Sequence, residues 1–313
     1  MATAIRSDHL RKVYPGSSSG SAALEDLTLE VPSGRVYGVI GRNGAGKTTF
    51  VRITATQLAL TSGRATVLDH DVATEERAIR AQVACVPQES RPLYFLNVEE
   101  VIYLYLKMRG LDRVEARRRT RDALDELALT EYRHRSVSRL SGGLRRRTLC
   151  AMVLASDAEL LFLDEPTTGL DPIARRQVWE AIRRATHERR TILLTTHYLD
   201  EAEELSARLA LFERGRLVLE GTPEDLRSRV RYPYRVTVLG SFPQEELASY
   251  GRVSPIEGGV LVFTREPEAR DLARTALERG NRVSMGPVSL EDVFLEVVGR
   301  SIEEEAPPAE VEW

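Results

Sequence analysis

The sequence predicts an α/β fold built on a mostly parallel sheet covered on both faces, followed by a small α+β unit. Three observations predict it. Short apolar runs of strand length, "RVYGVI", "LLFLDE" and "TILLTTH", alternate with helical patterns, as parallel strands buried on both faces require. The first of them runs straight into the glycine-rich turn "GRNGAGKTT", which opens a helix. From Arg231 the pattern changes to short strands, a hairpin and amphipathic helices of a second, smaller unit.

Each element follows in order. "AIRSDHLRKVY" and "LEDLTLEVP" read as two strands separated by the flexible loop "PGSSSGSAA". A helix is expected through "FVRITATQL". Between Asn97 and Leu140 the period is helical: "NVEE" has capping-box spacing, with Asn97 as cap and Glu100 at the third helical position. The helices "EEVIYLYLKM" and "EARRRTRDALDELAL" follow, the arginines of the second paired with its own acids on a solvated face. After "LLFLDE" come a helix from Pro172, the strand "TILLTTH", a helix from about Tyr198, and a hairpin turning at Arg214–Gly215. The second unit reads "YRVTVLG", helix "PQEELASY", hairpin "RVSPIEGGVLVFT", helix "EPEARDLARTALERG", strand "NRVSMG" and helix "SLEDVFLEVVG". The acidic, proline-bearing tail 303–313 is expected to be disordered.

Composition excludes several classes. A net charge of −3 on 313 residues gives no electrostatic reason to expect a nucleic-acid partner. Cys85 and Cys150 have no metal-like spacing and read as reduced, buried thiols. No apolar run approaches the roughly 18 residues needed to span a bilayer, and "MATAIRSDHLRK" lacks the apolar core of a secretion signal. A soluble intracellular chain is expected, so any membrane part must come from another polypeptide.

The turn at 41–48 matches G-x-x-x-x-G-K-[ST]. Gly41, Gly44 and Gly46 let the backbone N–H groups of Asn43, Ala45 and their neighbours turn inward around nucleotide phosphates. Lys47 sets a compact cation on them, and the Thr48 hydroxyl is a Mg²⁺ ligand, with Thr49 beside it. In a chain this long, a chance match is on the order of one per cent. "LLFLDEP" ends a buried strand in Asp164, a second Mg²⁺ holder, and in Glu165, a general base for the attacking water. An acidic helix cap is the plain alternative for an isolated Asp-Glu. His197 ends the neighbouring strand within reach of the γ-phosphate. The Gln88 amide can touch Mg²⁺ or the water. Tyr14 stacks on adenine or simply packs on an edge strand.

A second anion site reads from "LSGG": Ser141, Gly142 and Gly143 stand at the start of a helix, where open N–H groups favour negative charge. Tyr14, "GRNGAGKTT", "VPQ", "LSGG", "LLFLDEP", "GLDP" and "TTH", in that order over about residues 4–226, resemble the nucleotide-binding subunit of ABC transporters. The resemblance implies an ABC ATPase domain of the P-loop NTPase fold over 1–230. It comprises a mixed-sheet core, an antiparallel β subdomain and a helical subdomain at about 92–150, and a small α+β domain follows at 231–302. It implies ATP and Mg²⁺ as ligands and a homodimer paired head to tail. There Ser141, Gly142 and Gly143 of one copy close on the ATP held by the other, with Asp171 at the seam. Leu144 departs from the glutamine common in the family, and Arg145–Arg147 read as surface charge.

The C-terminal "VSLEDVFLEVVG" and "TTHYLDEAEELSARLALFERGRLVLEGTPEDL" are similar to the drug-resistance and lipid exporter branch. That branch implies a separate six-helix permease and work at the cytoplasmic face of the membrane. Residues 88–108 would receive the permease's coupling helix, or form domain core. A soluble ABC switch that controls another protein without transport is the alternative; a P-loop kinase leaves "LSGG" and "GLDP" unexplained.

Overall fold

In the computed structural model, which describes residues 2–15, 22–86, 95–240 and 242–298, the strand ends carrying the polar residues meet the head of a helix. The first strands are β1 (Thr3–Lys12), β2 (Leu24–Pro32) and β3 (Val36–Ile40), and helix α1 (Lys47–Thr54) follows. The helix stops short of the expected Leu58. Thr56 turns left-handed at φ 57°, and Arg80 clamps its hydroxyl and carbonyl at 2.8 and 2.7 Å. Four elements without a counterpart in the sequence reading come next: β4 (Ser62–Val67), β5 (His70–Asp71), α2 (Glu76–Gln82) and β6 (Val83–Val86).

Helices α3 (Val98–Met108), α4 (Arg113–Glu126) and α5 (Gly142–Leu154) form the helical region. The capping box of α3 is present: Asn97 Oδ1 accepts from Glu100 N at 2.9 Å, and Glu100 accepts from Asn97 N at 2.9 Å. On α4, Arg118 and Arg119 pair with Glu115, at 2.7 and 2.6 Å, as their spacing predicts. The apolar residues of α3 divide: Val98, Val101, Ile102 and Leu106 are core, while Leu104 and Met108 are exposed, as is Phe95 just before the helix. The region closes with β7 (Leu160–Asp164), α6 (Pro172–His187), β8 (Thr191–Thr196), α7 (Leu199–Leu205), β9 (Arg208–Glu213) and β10 (Arg216–Gly221). The β9–β10 turn has Arg214 and Gly215 both at positive φ, 49° and 76°, as a two-residue hairpin needs.

The central sheet runs β10-β9-β3-β8-β7-β6, with β9, β3, β8, β7 and β6 parallel; the antiparallel sheet runs β2-β1-β4-β5. Alternate residues of each central strand feed two different cores. Leu161, Leu163, Ile192 and Leu194 join one with the helical region; Leu160, Phe162 and Leu193 join the other with α1 and the antiparallel sheet. Full burial of a side chain such as Phe162 contributes about 1.5–3 kcal/mol. The period-2 alternation thus covers the sheet on both faces.

A second compact unit begins at Gly221. It contains α8 (Pro223–Ser228), β11 (Tyr234–Leu239), α9 (Gln244–Leu247), β12 (Arg252–Ile256), β13 (Gly259–Thr264), α10 (Glu266–Glu278), β14 (Arg282–Pro287) and α11 (Leu290–Val298). Its antiparallel sheet runs β12-β13-β11-β14, and Val236, Val238 and Val262 pack with Ala269 and Leu272 of α10. Residues 303–313 lie outside the described residues.

Candidate active site

Strand β3 ends at Ile40, and the loop 41–46 delivers the chain to the head of α1. Gly46 caps the helix at φ 104° with no side-chain cap, leaving the first N–H groups to the loop's concave side. A Cβ on Gly46 would fall 2.6 Å from Ala23 O, and one on Gly41 2.4 Å from Phe212 O, so only glycine fits either position. The hairpin tip closes the loop from behind: Gly215 N donates to Ala45 O at 3.0 Å, and Glu25 N to Gly215 O at 2.8 Å.

Lys47 is buried at 4 % exposure. Its ammonium donates to Gly41 O at 2.6 Å and Arg42 O at 3.2 Å and stands 3.6 Å from Glu165 Oε1. Burial lowers its pKa, against the pull of Glu165 and Asp164.

Parallel pairing of β7 with β8 sets Asp164 opposite Thr195 and His197 just beyond, as their strand-end positions predict. Asp164 accepts from the Thr195 hydroxyl and, at 3.3 Å, from the Thr48 hydroxyl. Burial holds its carboxyl above the usual range despite those bonds. A hydroxyl and a desolvated carboxylate facing each other are the hard oxygen donors that Mg²⁺ takes, so these residues fit the ion. Among the described residues no group of three acidic, histidine or cysteine side chains could hold a metal.

Glu165 is a non-glycine residue in the left-handed region, φ 50°, a strained backbone just past the end of β7. Its N–H donates to Thr195 O at 3.0 Å, and Thr168 donates to Oε2 at 3.3 Å. His197 Nδ1 lies 3.4 Å from Glu165 Oε1, without hydrogen-bond alignment. Burial acts to raise the Glu165 pKa, but His197 and Lys47 outweigh it and hold the carboxyl below its ordinary value. The base is therefore ionised at neutral pH.

Arg146 is the residue the sequence reading misplaced. It is not surface charge: it is buried, and its guanidinium donates to the backbone carbonyls of Asp164 and Glu165, the latter at 2.5 Å, holding the strained turn. Arg147 likewise reaches inward, to Leu127 O at 3.1 Å and Gln177 Oε1 at 2.9 Å. An arginine beside a helix head gives no sequence signal that separates these roles from a solvated face.

Tyr14, Ala23, the loop Arg42–Thr49 and Glu165 line an open cleft of about 370 Å³. The Tyr14 hydroxyl meets Thr49 Oγ1 at 3.2 Å, Lys12 stands 5.4 Å from the ring centroid, and the ring is 38 % exposed. Gln88 lies outside the described residues.

The signature residues are elsewhere. Ser141 caps α5, its hydroxyl accepting from Leu144 N at 3.3 Å. Ser141 and Gly142 are exposed, and a Cβ on Gly142 would meet nothing within 4 Å. None of Ser141, Gly142 and Gly143 lines the cleft. Leu144, where the family commonly has glutamine, packs half-buried against the helical core. Asp171 caps α6, accepting from Ile173 N at 3.0 Å and Ala174 N at 2.9 Å; those bonds, Ala174's first, hold its pKa down.

A family profile described as ABC transporter matches residues 24–168. The daunorubicin/doxorubicin resistance ATP-binding protein DrrA of Streptomyces peucetius is 36% identical over 98% of this chain and 98% of its own. The chain belongs to the ABC transporter family of ATP-binding proteins. The Nod factor export ATP-binding protein I of Rhizobium etli is 35% identical over 96% of this chain and 95% of its own. Among solved structures, an ATP-binding subunit of an ABC transporter aligns with TM-score 0.66 at 27% identity, covering 72% of this chain and 93% of that one. The dimeric post-hydrolysis cassette MJ0796, bound to ADP and Pi, aligns at 0.65 over 70% of this chain and 98% of that one; at 20% identity it shows the fold alone. As a member of the family this chain is an ATP-binding ATPase whose hydrolysis is coupled to transport. No helix among the described residues is long and apolar enough to cross a membrane.

Proposed function

We propose that two copies pair head to tail and power an exporter of hydrophobic, drug-like or lipid-like molecules. In this reading the ATPase domain spans 1–230, running past the start of the second compact unit at Gly221, and the small domain spans 231–302. The observation that carries the pairing is that the cleft holds the phosphate loop and Glu165 but no signature residue. Ser141 and Gly142 are exposed, Gly143 is half-buried, and none of the three lines the chain's own cleft. In the pair they lie over the γ-phosphate of the partner's ATP, and Asp171 sits at the seam.

Each residue then has a task. The loop N–H groups from Gly41 to Thr49, with Asn43 and Ala45 among them, bind the phosphates, Lys47 neutralises them, and Tyr14 stacks on adenine. Thr48, Asp164 and Gln88 hold Mg²⁺, which neutralises charge on the phosphates when bound. Glu165 takes the proton of the attacking water, and His197 orients Glu165 and contacts the γ-phosphate. A separate six-helix permease supplies the membrane path and places this subunit at the cytoplasmic face. The exposed Phe95, Leu104 and Met108 offer the apolar contact for its coupling helix. The export named for the Nod factor relative, beside the drug resistance named for the Streptomyces one, supports this direction of transport.

Glu165→Gln is expected to slow ATP hydrolysis by about 10²–10³-fold while ATP binding survives, leaving an ATP-bound dimer visible by size. Hydrolysis at the parental rate would refute the assignment of the base. Co-purification of the subunit with a six-span membrane protein is the corresponding test of the transport reading.

A further inference from the structure

Glu201 is a charged residue that the mechanism above does not use. It sits on α7, four residues after His197, and is fully buried. Its Oε1 accepts two hydrogen bonds: from the Thr167 hydroxyl at 2.7 Å and from Trp179 Nε1 at 2.8 Å. The Thr196 hydroxyl also favours its charge, although Oε2 makes no hydrogen bond of standard geometry. That same Thr196 hydroxyl accepts from Tyr198 N at 3.0 Å, so both residues flanking His197 are drawn into the cluster. Arg175 acts on Glu201 only at a distance, and burial pushes its carboxyl above the usual range.

The placement of the partners matters more than the number of bonds. Thr167 lies in the turn between Glu165 and Asp171, Trp179 lies on the helix that Asp171 caps, and Thr196 precedes His197. A carboxylate is a costly group to bury, and leucine or methionine would fill the volume with less penalty. Its partners here are the segments that carry the base, the seam residue and the γ-phosphate histidine.

We infer that Glu201 is a positioning residue for ATP hydrolysis, a buried post to which the Glu165–Asp171 turn and the His197 segment are both tied. It touches no nucleotide. It sets the separation of Glu165 and His197, so that both meet the terminal phosphate and its water together. The inference rests on Glu165 being the base and His197 its partner.

Steady-state ATPase kinetics of the full chain test it, with the melting temperature of every variant measured alongside. Glu201→Ala is expected to lower kcat by about tenfold or more with KM for ATP within about twofold, because misplacing reacting groups costs rate and not nucleotide binding. Glu201→Gln, which keeps an oxygen for Thr167 and Trp179, is expected to restore most of kcat. Trp179→Phe and Thr167→Val each remove one donor, and each is expected to lower kcat about threefold at constant KM. These two decide the matter if Glu201→Ala does not fold. A folded Glu201→Ala with parental kcat overturns the inference, as does a kcat loss that only follows a drop in melting temperature. Glu165→Gln is measured in parallel: parental activity there sinks the assignment of the base, whereas an inactive Glu165→Gln beside unaffected Glu201, Thr167 and Trp179 variants sinks only the positioning role.

Discussion

The heads of α1 and α5 are built from similar parts and end up as different devices. Helix α1 follows a glycine trio and α5 opens on a glycine pair, and both leave backbone N–H groups open, the local requirement for an anion site. At α1 the surroundings complete it: Lys47 is buried inside the loop, Asp164 and Glu165 arrive at the end of β7, two places along the sheet from β3, and Gly41 and Gly46 have no room for a side chain. At α5 nothing completes it. Ser141 uses its hydroxyl on its own helix, and a side chain on Gly142 would meet nothing within 4 Å. A helix head binds; the environment decides whether it also does chemistry.

The largest effect that would sharpen this contrast is at the complete site. Lys47→Ala is expected to reduce hydrolysis by roughly 10²–10³-fold, read as phosphate release, since it removes the cation from the developing phosphate charge. A variant that retained activity would break the comparison outright. Next comes a mixing experiment. Ser141→Arg blocks the lid and Lys47→Ala disables the cradle, so each alone is inactive as a homodimer. Mixed one to one, head-to-tail pairs contain one intact cradle under one intact lid, and about a quarter of parental activity is expected to return. No recovery would show that the lid serves its own chain. Smaller again is Ser141→Ala, which loses the helix cap at about 0.5–2 kcal/mol, measured by denaturant unfolding, while isolated subunits keep their affinity for ATP. The smallest effect is on pH. The Glu165 pKa is depressed in the fold, so its carboxylate contributes stability above its ordinary value of 4.5. That contribution is lost as pH falls through the lower folded value. Unfolding titrations are expected to show this acid limb in the parent and not in Glu165→Gln, with Ser141→Ala matching the parent.

Much of the first device was legible before any coordinates. The glycine spacing, Lys47, and the two carboxylates at a strand end are local patterns, and parallel neighbours bring strand ends together by rule. Asn97 and Glu100 announced their capping box in the same way. What was not legible depends on packing. Arg146 works through backbone carbonyls that any sequence would supply, so its arginine run reads as solvent charge. Glu201 sits in an acidic helix where Asp200 and Glu204 are exposed, and only the arrival of Thr167 and Trp179 from other segments sets it apart. The early end of α1 escaped for a similar reason, since Arg80 comes from a distant helix to hold Thr56. Elements β4 to β6 carried no strong period of their own.

The tip of the β9–β10 hairpin, pressed against the far side of the glycine loop through Gly215, has a consequence for how fuel arrives. With that flank closed by main chain, the way into the loop for a triphosphate is the open cleft lined by Tyr14, Lys47 and Glu165. In the proposed pair, each subunit would then find the other's triphosphate already presented.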